Sequence, residues 1–389
     1  MKRIFNFFKL FFGSIKSYKK PLNSNILIYD SSGLDVLKEY IKQYDYYLLH
    51  VRGEEINLFC FFKSIFQKIF WKGNFLTAYI NQVIIEVKPK IVITTIDNNQ
   101  FFYLIKDNHK NIKTIFIQNG WRGGGVDIFS YLEKNSKFKV DYMFVFNRSI
   151  ALKYKEYIKG ESLLLGSLRN NHHLNTNYNL IVNSVMFISS FRKNDNNPIM
   201  MFNSKKEPIS WEKFYSLDEL VLSWLKKWCF ENNKTLLICG RSSGKDIIEE
   251  KNWYENLLGQ NNFNFLPRIN RGSSYQNIQE AELIVSLGST LGYEAFGIGK
   301  KVAFLTGRGI WLDDKQRNFG WPFFNSDKGP FWSNIPIFEE FHRLLNFLNL
   351  ISDADWAEVH NKYRKELMVI NPGNKKLVYL LDKLLTNNK

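Results

Sequence analysis

The fold signal is clearest in residues 285–304, which read VSLGSTLGYEAFGIGKKVAF. An apolar strand enters a turn that contains Gly288, a helix is predicted to begin at Thr290, and a second apolar strand follows. Free backbone N–H groups and the hydroxyls of Ser289 and Thr290 would converge at the positive end of this helix, which favours an anion such as phosphate. Glu294 lies one turn further on the same helix face and is predicted to accept a hydrogen bond from a sugar hydroxyl of a bound nucleotide. In the alternative interpretation, Ser289 only caps the helix and Glu294 faces solvent.

The composition is that of a folded protein with room for two domains. The chain has 389 residues, of which 45% are hydrophobic and 23% are charged, so that each domain can bury its own core. Its three cysteines, Cys60, Cys229 and Cys239, have neither the spacing of a disulfide framework nor that of a zinc site, which predicts a location in the reducing cytoplasm. We expect no bound metal and no cofactor. The nucleotide sugar is the expected substrate.

The net charge predicts an acidic partner. The chain carries a formal charge of +16, from 53 Lys and Arg residues against 37 Asp and Glu residues. The sequence contains no zinc-finger spacing, no RNP-like signature and no basic recognition helix, so nucleic acid is not the expected partner. An anionic membrane surface suits this charge better.

Residues 1–22 are predicted to form an amphipathic segment that binds a membrane surface. The polar stripe of this helix consists of Lys2, Asn6, Lys9, Gly13 and Lys16, and its apolar side of Phe5, Phe8, Phe11, Phe12 and Ile15. The segment is too short to span a bilayer, which needs about 20 apolar residues, and no signal-peptide cleavage site follows it. We predict that it lies on the inner face of the cytoplasmic membrane as a peripheral anchor. Alternatively, its phenylalanines pack on the body of the protein.

Two series of strands alternate with helical stretches and predict an α/β protein of two doubly wound, Rossmann-like domains that face each other across a cleft. The predicted strands cover residues 25–29, 46–51, 91–95, 114–118 and 142–146 in the first half, and 184–189, 235–239, 263–266, 283–285 and 302–305 in the second. The predicted divisions are an N-terminal domain over 23–168, an asparagine-rich polar linker over 169–182, a C-terminal domain over 183–335 and C-terminal helices over 336–389.

Polar residues of the N-terminal domain follow two predicted strands, at the sheet edge where such folds bind ligands. The predicted acceptor-binding residues are Asn98, Asn119, Trp121 and Arg122. The glycines around Trp121 would let the loop approach a sugar, with an indole that stacks on it and polar groups that bind its hydroxyls. For an inverting transfer, Asp97 is the predicted general base and Asp127 the reserve. Alternatively, the glycines only form the turn and Asp97 caps the next helix.

A loop over residues 240–246 of the C-terminal domain adds two predicted donor-binding cations, Arg241 and Lys245. The loop is not a Walker A sequence, because its glycine spacing is short and Asp246 replaces the Ser or Thr that binds magnesium. Arg241 is predicted to bind a phosphate or carboxylate bidentately. A retaining double displacement would need a carboxylate nucleophile, for which Glu250, Asp246 and Asp97 are the candidates.

The order of these segments resembles a family of bacterial GT-B glycosyltransferases that act in surface-polysaccharide and O-antigen assembly. The matching segments are residues 94–99 (TTIDNN), 116–123 (FIQNGWRG), 166–171 (GSLRNN), 188–192 (ISSFR), 289–296 (STLGYEAF) and 299–302 (GKKV). The resemblance implies that the C-terminal domain binds a nucleotide-sugar donor and the N-terminal domain a lipid-linked or glycan acceptor. The family is also similar to transferases that use CMP-activated ulosonic acids such as Kdo. No DxD-type metal motif stands at a strand end, so a metal-independent transfer is expected.

Two other functions fit parts of the sequence. A polyol-phosphate transferase that uses CDP-glycerol would share the two domains and the basic charge, but such enzymes usually show a His-Gly loop where this chain has Asn119 and Gly120. A membrane-bound scaffold of polysaccharide assembly, without catalysis, would be favoured if many of the 34 phenylalanines and 10 tryptophans are exposed.

Overall fold

The chain folds around two parallel β-sheets of six strands each, which confirms the predicted α/β architecture. The computed structural model describes residues 11–72, 74–123, 127–132, 137–174, 178–194, 199–203 and 205–386. All strands predicted from the sequence are present, and their ends shift by a few residues.

The N-terminal domain contains the first sheet. The strands of this domain are β1 (Ile15–Ser17), β2 (Ile26–Ile28), β3 (Tyr46–Leu48), β4 (Glu55–Asn57), β5 (Ile91–Thr94), β6 (Lys113–Ile117), β7 (Lys139–Val145) and β8 (Lys159–Leu164). Its helices are α1 (Leu34–Ile41), α2 (Leu58–Ser64), α3 (Lys68–Trp71), α4 (Phe75–Val87), α5 (Ile105–Asn108), α6 (Ile128–Tyr131), α7 (Arg148–Lys155) and α8 (Leu168–His173). The sheet has the order β3-β2-β5-β6-β7-β8. The edge strand β8 was not predicted, because its first residues, Lys-Gly-Glu-Ser, show no apolar alternation.

The C-terminal domain contains the second sheet. The strands of this domain are β9 (Ile181–Ile188), β10 (Met201–Phe202), β11 (Pro208–Ile209), β12 (Thr235–Cys239), β13 (Asn264–Leu266), β14 (Ala281–Ser286), β15 (Lys301–Leu305) and β16 (Trp332–Ser333). Its helices are α9 (Trp211–Glu231), α10 (Asp246–Leu258), α11 (Ser273–Glu280), α12 (Thr290–Gly297) and α13 (Arg308–Trp311). The sheet order is β13-β12-β9-β14-β15-β16. The chain leaves β9 on one side and returns to β14 on the other, which creates a switch point of the kind that binds ligands.

The C-terminal helices connect the two domains. They are α14 (Phe338–Leu350), α15 (Asp353–Leu367) and α16 (Lys375–Thr386), close to the bounds predicted from the sequence. Helix α14 packs against β15 of the second sheet. Helix α16 instead packs Leu377 and Leu381 into the core around Ile26 and Ile93 of the first sheet. The last described helix therefore belongs to the core of the N-terminal domain.

The predicted N-terminal helix requires a correction. Its first part, residues 1–10, lies outside the described residues, and the helical conformation ends at Gly13. Strand β1 follows and pairs in parallel with β4, and the ring of Phe11 packs on Phe61 at a centroid distance of 5.0 Å. Because side chains alternate along a strand, the predicted helical stripe does not extend to Lys16. Within the described ranges, no helix has the length and apolar character needed to span a membrane.

The start of the asparagine-rich segment between the domains is helical and partly buried, whereas residues 178–180 are exposed. Helix α8 covers its first part, where Asn170 and Asn171 are buried. The Asn170 amide donates to the carbonyl of Glu294 at 2.9 Å, and the Asn171 amide donates to the carbonyl of Leu165 at 2.9 Å. Amide side chains can satisfy buried backbone carbonyls, and through Asn170 the start of this segment is held to helix α12 of the C-terminal domain.

Candidate functional site

A cavity of about 230 Å³ lies between the two domains, at the switch point of the second sheet. The ends of β9 and β12 and the start of α12 form its walls, together with Asn119 from the opposite domain. Its described lining residues are Asn119, Arg169, Ile188, Ser189, Cys239, Gly240, Arg241, Arg268, Arg271, Ser274, Tyr275, Ser289, Thr290, Leu291 and Glu294. We name it the switch-point cavity.

The start of α12 faces the switch-point cavity, in agreement with the strand-turn-helix pattern. Gly288 has φ of 107°, a conformation that glycine adopts without strain, and this allows the turn between β14 and α12. Ser289 caps the helix, since its Oγ accepts a hydrogen bond from the Leu291 N–H at 3.3 Å. Ser289 and Thr290 both line the cavity, whereas Gly288 shapes the turn without lining it. Capping and anion binding are therefore compatible here, because the positive end of the helix points at the cavity.

The N-terminal domain contacts the same helix start through Trp121. Its backbone N–H donates to Thr290 Oγ1 at 2.9 Å, and its indole stacks on Tyr293 with a centroid distance of 3.6 Å and an interplanar angle of 2°. Tyr293 covers one face of the indole, so Trp121 is a contact between the domains.

Glu294 is a buried carboxyl at the wall of the switch-point cavity, and not the solvated side chain of the alternative interpretation. Its Oε1 accepts hydrogen bonds from the hydroxyl of Ser167 and, at 3.1 Å, from that of Tyr275. Burial raises the pKa of Glu294 to about 7, although these hydrogen bonds oppose the shift. Because both hydroxyls bind Oε1, Oε2 has no hydrogen-bond partner among the described residues, and a ligand hydroxyl can bind there.

Four arginines surround the switch-point cavity, and they differ in how they are paired. Arg169 binds Asp35 bidentately at 2.6 and 2.7 Å, and Arg271 reaches the same carboxylate at 3.0 Å. Arg241 donates to the backbone carbonyl of Ser190 at 3.0 Å, and Arg268 donates to the carbonyl of Arg241 at 3.4 Å. Backbone carbonyls do not neutralise a guanidinium, so these two cations remain available for an anionic ligand.

Only Arg241 of these four was predicted as a ligand contact. Arg268 and Arg271 follow β13 directly, so the strand-end rule that led to Arg241 would also have pointed to them. Arg169 lies in the segment predicted to be a polar linker, and sequence alone gives no sign that α8 carries it to the cavity.

Asp97 cannot act as the predicted general base in this structure. Its side chain is fully buried, and Arg122 binds both of its oxygens, with Nε at 2.7 Å from Oδ2. The Tyr154 hydroxyl also donates to Oδ2, and the Asn119 N–H donates to Oδ1 at 3.3 Å. Arg122, predicted to bind the acceptor, is itself buried in this pair. The carboxylate and the guanidinium satisfy each other and are not directed at an acceptor.

Asp127, the reserve base, stabilises the loop that precedes it. Its carboxylate accepts hydrogen bonds from the backbone N–H groups of Gly123 and Ile128 at 2.7 Å each, and from Arg122 Nη1 at 3.1 Å. It therefore caps α6 and fixes one end of the glycine-rich loop, and residues 124–126 of that loop lie outside the described part of the chain.

Glu250, predicted as a possible nucleophile, is buried beneath the loop that follows β12. It accepts hydrogen bonds from the backbone N–H groups of Arg241 at 3.0 Å and Ser242 at 2.7 Å, and from the hydroxyl of Ser189. This carboxylate positions the Arg241 loop and does not reach a substrate, so the prediction of a catalytic role is wrong for this structure.

The remaining predicted residues differ in their distance from the cavity. Asn119 lines it from the N-terminal domain. Asn98 is exposed at the end of β5 and does not line it, and neither does the exposed Lys245 before α10. The described residues include no cluster of three or more His, Cys, Asp or Glu side chains that could hold a metal ion. Burial raises the pKa of each cysteine thiol to about 12.

Solved structures with the same two-domain arrangement share little sequence with this chain. The wall teichoic acid polymerase TagF aligns with a TM-score of 0.51 at 12% identity, covering 95% of this chain and 90% of that one. S. aureus MnaA in complex with UDP aligns at 0.52 and 11% identity, covering 93% and 96%. A "putative UDP-N-acetylglucosamine 2-epimerase" from Listeria monocytogenes aligns at 0.52 and 11% identity, covering 97% and 98%. The fold of this chain is therefore GT-B.

The chain belongs to the family described as "putative O-antigen biosynthesis protein", whose model matches residues 115–385. All the described residues that line the switch-point cavity fall within this match. No curated protein sequence matches the chain.

Proposed function

We propose that the protein is a glycosyltransferase that moves a sugar from a nucleotide donor to a growing bacterial surface glycan without a metal ion. The observation that carries this proposal is the switch-point cavity, where a helix start, a buried carboxyl and two arginines meet that have no carboxylate partner among the described residues. Membership in an O-antigen biosynthesis family and the GT-B fold support it.

The donor phosphate binds at the start of α12, where the positive end of the helix meets the hydroxyls of Ser289 and Thr290. Glu294 accepts a hydrogen bond from a hydroxyl of the nucleotide's sugar through Oε2. Arg241 and Arg268 stabilise the negative charge that develops on the departing phosphate, in place of a metal ion. Proton transfer is assigned to none of Asp97, Asp127 and Glu250, because each is engaged in hydrogen bonds that hold the fold.

Among donors, we favour a CMP-activated ulosonic acid such as Kdo. A phosphodiester supplies one negative charge at the start of α12, and the carboxylate of an ulosonic acid would supply a second for Arg241 or Arg268.

A polyol-phosphate transferase is the second candidate. It is supported by the alignment with TagF, which covers 95% of this chain, and by a cationic cavity that suits a phosphate-bearing group. The residues Asn119 and Gly120 argue against it, because the asparagine amide cannot act as the acid or base that a histidine provides.

The test is nucleotide release from CMP-Kdo, CDP-glycerol and UDP-N-acetylglucosamine, followed by chromatography, with bacterial membrane extract as acceptor source. Release of CMP from CMP-Kdo alone supports the favoured donor, and release from CDP-glycerol alone supports the second candidate. Isomerisation of the UDP-sugar without release of UDP would contradict glycosyl transfer. No reaction and no binding of any nucleotide would favour the non-catalytic scaffold.

We also propose that the N-terminal domain contacts an anionic membrane surface. Large aromatic side chains are exposed near its N-terminal edge, including Phe12 (78%), Phe62 (57%), Phe66 (88%) and Trp71 (73%). Ring contacts run from Phe12 through Phe11 and Phe61 to Phe62, and from Phe61 through Phe70 to Trp71, so Phe12, Phe62 and Trp71 belong to one cluster of rings. Exposed lysines, such as Lys19, Lys68 and Lys72, border it. Aromatic rings and lysines together suit a headgroup region with negative charge.

A further inference from the structure

A second cavity, of about 490 Å³, lies beside the switch-point cavity and entirely on the C-terminal domain. Its described lining residues are Phe191, Arg192, Lys193, Asn194, Ile199, Met200, Trp211, Arg241, Ser242, Ser243, Asp246 and Arg268. Arg241 and Arg268 also line the switch-point cavity, so the two cavities share one wall. We name it the arginine cavity.

The arginine cavity concentrates positive charge. Four of its described lining residues, Arg192, Lys193, Arg241 and Arg268, are cationic, and Asp246 is the one carboxylate among them. Lys193 is paired with Glu249 at 2.5 Å. In the described part of the chain, the guanidinium groups of Arg192, Arg241 and Arg268 have no ion pair with a carboxylate. Desolvation lowers the pKa of Arg241, and the neighbouring cations Arg192 and Arg268 lower it further.

Three guanidinium groups at one cavity repel one another unless an anion lies between them. A guanidinium group can bind a phosphate with two parallel hydrogen bonds. Several guanidinium groups around one point can therefore bind a highly charged phosphate or diphosphate. The volume of the cavity is larger than one phosphate needs and falls within the range of sites for small organic ligands, about 300–1,000 Å³.

Part of the lining of the arginine cavity is apolar. Phe191, Met200 and Trp211 line it, with the two aromatic rings 6.3 Å apart between centroids. The indole N–H of Trp211 donates to the carbonyl of Arg192 at 2.8 Å, so its polar atom is already satisfied and its ring offers apolar surface. The cavity therefore combines cationic side chains with an apolar wall.

We propose that the arginine cavity binds a second substrate, a phosphate ester with an apolar substituent, at the same time as the nucleotide occupies the switch-point cavity. The phosphate lies among Arg192, Arg241 and Arg268, and the apolar group lies along Phe191 and Trp211. This inference rests on the proposed function, because the phosphate ester with its apolar substituent would be the lipid end of a lipid-linked acceptor glycan, held through Arg241 on the wall that the two cavities share. It differs from the sequence-based expectation that acceptor binding is confined to the N-terminal domain.

The experiment is titration calorimetry of the full-length chain with farnesyl diphosphate, inorganic pyrophosphate and farnesol, each with and without saturating CMP or UDP. The key variant is Arg192→Gln, because Arg192 lines the arginine cavity and not the switch-point cavity. Lys245→Gln is the matched control, since it removes the same charge from the neighbouring loop without altering the lining of either cavity.

Farnesyl diphosphate is expected to bind with and without nucleotide, and Arg192→Gln is expected to weaken this binding at least about tenfold, as the loss of one charge-assisted contact implies. Nucleotide affinity should stay within about twofold in the same variant, and Lys245→Gln should behave as wild type. Competition between farnesyl diphosphate and nucleotide, or unchanged binding in Arg192→Gln, would overturn the proposal. Equal binding of inorganic pyrophosphate would overturn the role of the apolar wall. If farnesyl diphosphate binds through Arg192 but no nucleotide binds at all, the proposed function fails while this site stands.

Discussion

The indole of Trp121 lies flat on the ring of Tyr293, at 3.6 Å between centroids. This stack joins the loop after β6 to α12, the helix whose first residues line the switch-point cavity. The backbone N–H of Trp121 binds Thr290 one turn earlier on that helix. One residue of the N-terminal domain thus fixes the orientation of the proposed phosphate site. The GT-B cleft is closed at this point by specific contacts.

Replacement of Trp121 by alanine should destabilise the protein and weaken nucleotide binding together. A stacked aromatic pair contributes about 0.5–1.5 kcal/mol beyond the area that it buries, and its loss also frees the loop that positions Thr290. Thermal unfolding and calorimetry of Trp121→Ala, Trp121→Phe and the exposed-site control Trp71→Ala measure both effects. Equal melting temperatures for Trp121→Ala and Trp71→Ala would contradict the structural importance of the stack.

Asp97→Asn should act on stability more than on chemistry. Removal of one partner of a buried ion pair costs about 3–5 kcal/mol, because Arg122 is left without its carboxylate. Urea unfolding of Asp97→Asn should show this loss, whereas the exposed-site control Asp107→Asn should not. The double variant Asp97→Asn with Arg122→Gln should recover part of the stability. A normally stable Asp97→Asn protein without transferase activity would restore Asp97 as the general base.

The buried Glu294 predicts a specific dependence of stability on pH. Its folded-state pKa of about 7 lies above the value of about 4.3 for an unfolded chain, so the folded state holds the proton more tightly. The resulting stabilisation is fully present below about pH 4 and is lost as the pH rises through about 7. Glu294→Gln cannot ionise, so it should exceed the stability of the wild type by only about 1 kcal/mol at pH 5 and by about 4 kcal/mol at pH 8.

Urea unfolding at both pH values measures this difference, with the exposed Glu339→Gln as the control. A Glu294→Gln effect of equal size at pH 5 and pH 8 would show that the carboxyl does not titrate in this range.

The exposed aromatics near the N-terminal edge should mediate membrane binding. The double variant Phe66→Ser with Trp71→Ser removes two of the most exposed rings and should reduce sedimentation with vesicles that contain phosphatidylglycerol. Phe230→Ser removes an equally exposed ring from the C-terminal domain and should sediment as the wild type does. Neutral phosphatidylcholine vesicles should bind less protein, since the lysines lose their counter-charges. Equal binding by all variants would contradict the assigned surface.

The sequence predicted the sheets well because their strands are short apolar runs between turn signals. β12, for example, spans Thr235–Cys239, as expected from the sequence. The edge strand β8 and the pairing of β1 with β4 were missed, since their residues gain their partners only through long-range contacts that no local pattern encodes.

The site residues that belong to one continuous strand-turn-helix unit were predicted correctly as lining residues. The predictions failed for carboxylates whose hydrogen-bond partners come from other segments of the chain. Ser289, Thr290 and Glu294 follow from one strand-turn-helix unit, and they line one cavity. The roles of Asp97 and Glu250 were wrong, because sequence cannot show that Arg122 and two backbone N–H groups already satisfy these carboxylates.

The most direct test of the proposed nucleotide site is the affinity of Ser289→Asp for CMP, CDP and UDP, measured by calorimetry. Aspartate is as good a helix cap as serine, so the fold and the melting temperature should be retained, while the added carboxylate at the start of α12 repels a phosphate. Ser210→Asp places the same change at the cap of α9, which does not line the switch-point cavity. We predict that Ser289→Asp loses nucleotide binding and Ser210→Asp keeps it. Wild-type affinity in a folded Ser289→Asp protein would contradict the assignment of the phosphate to this helix start.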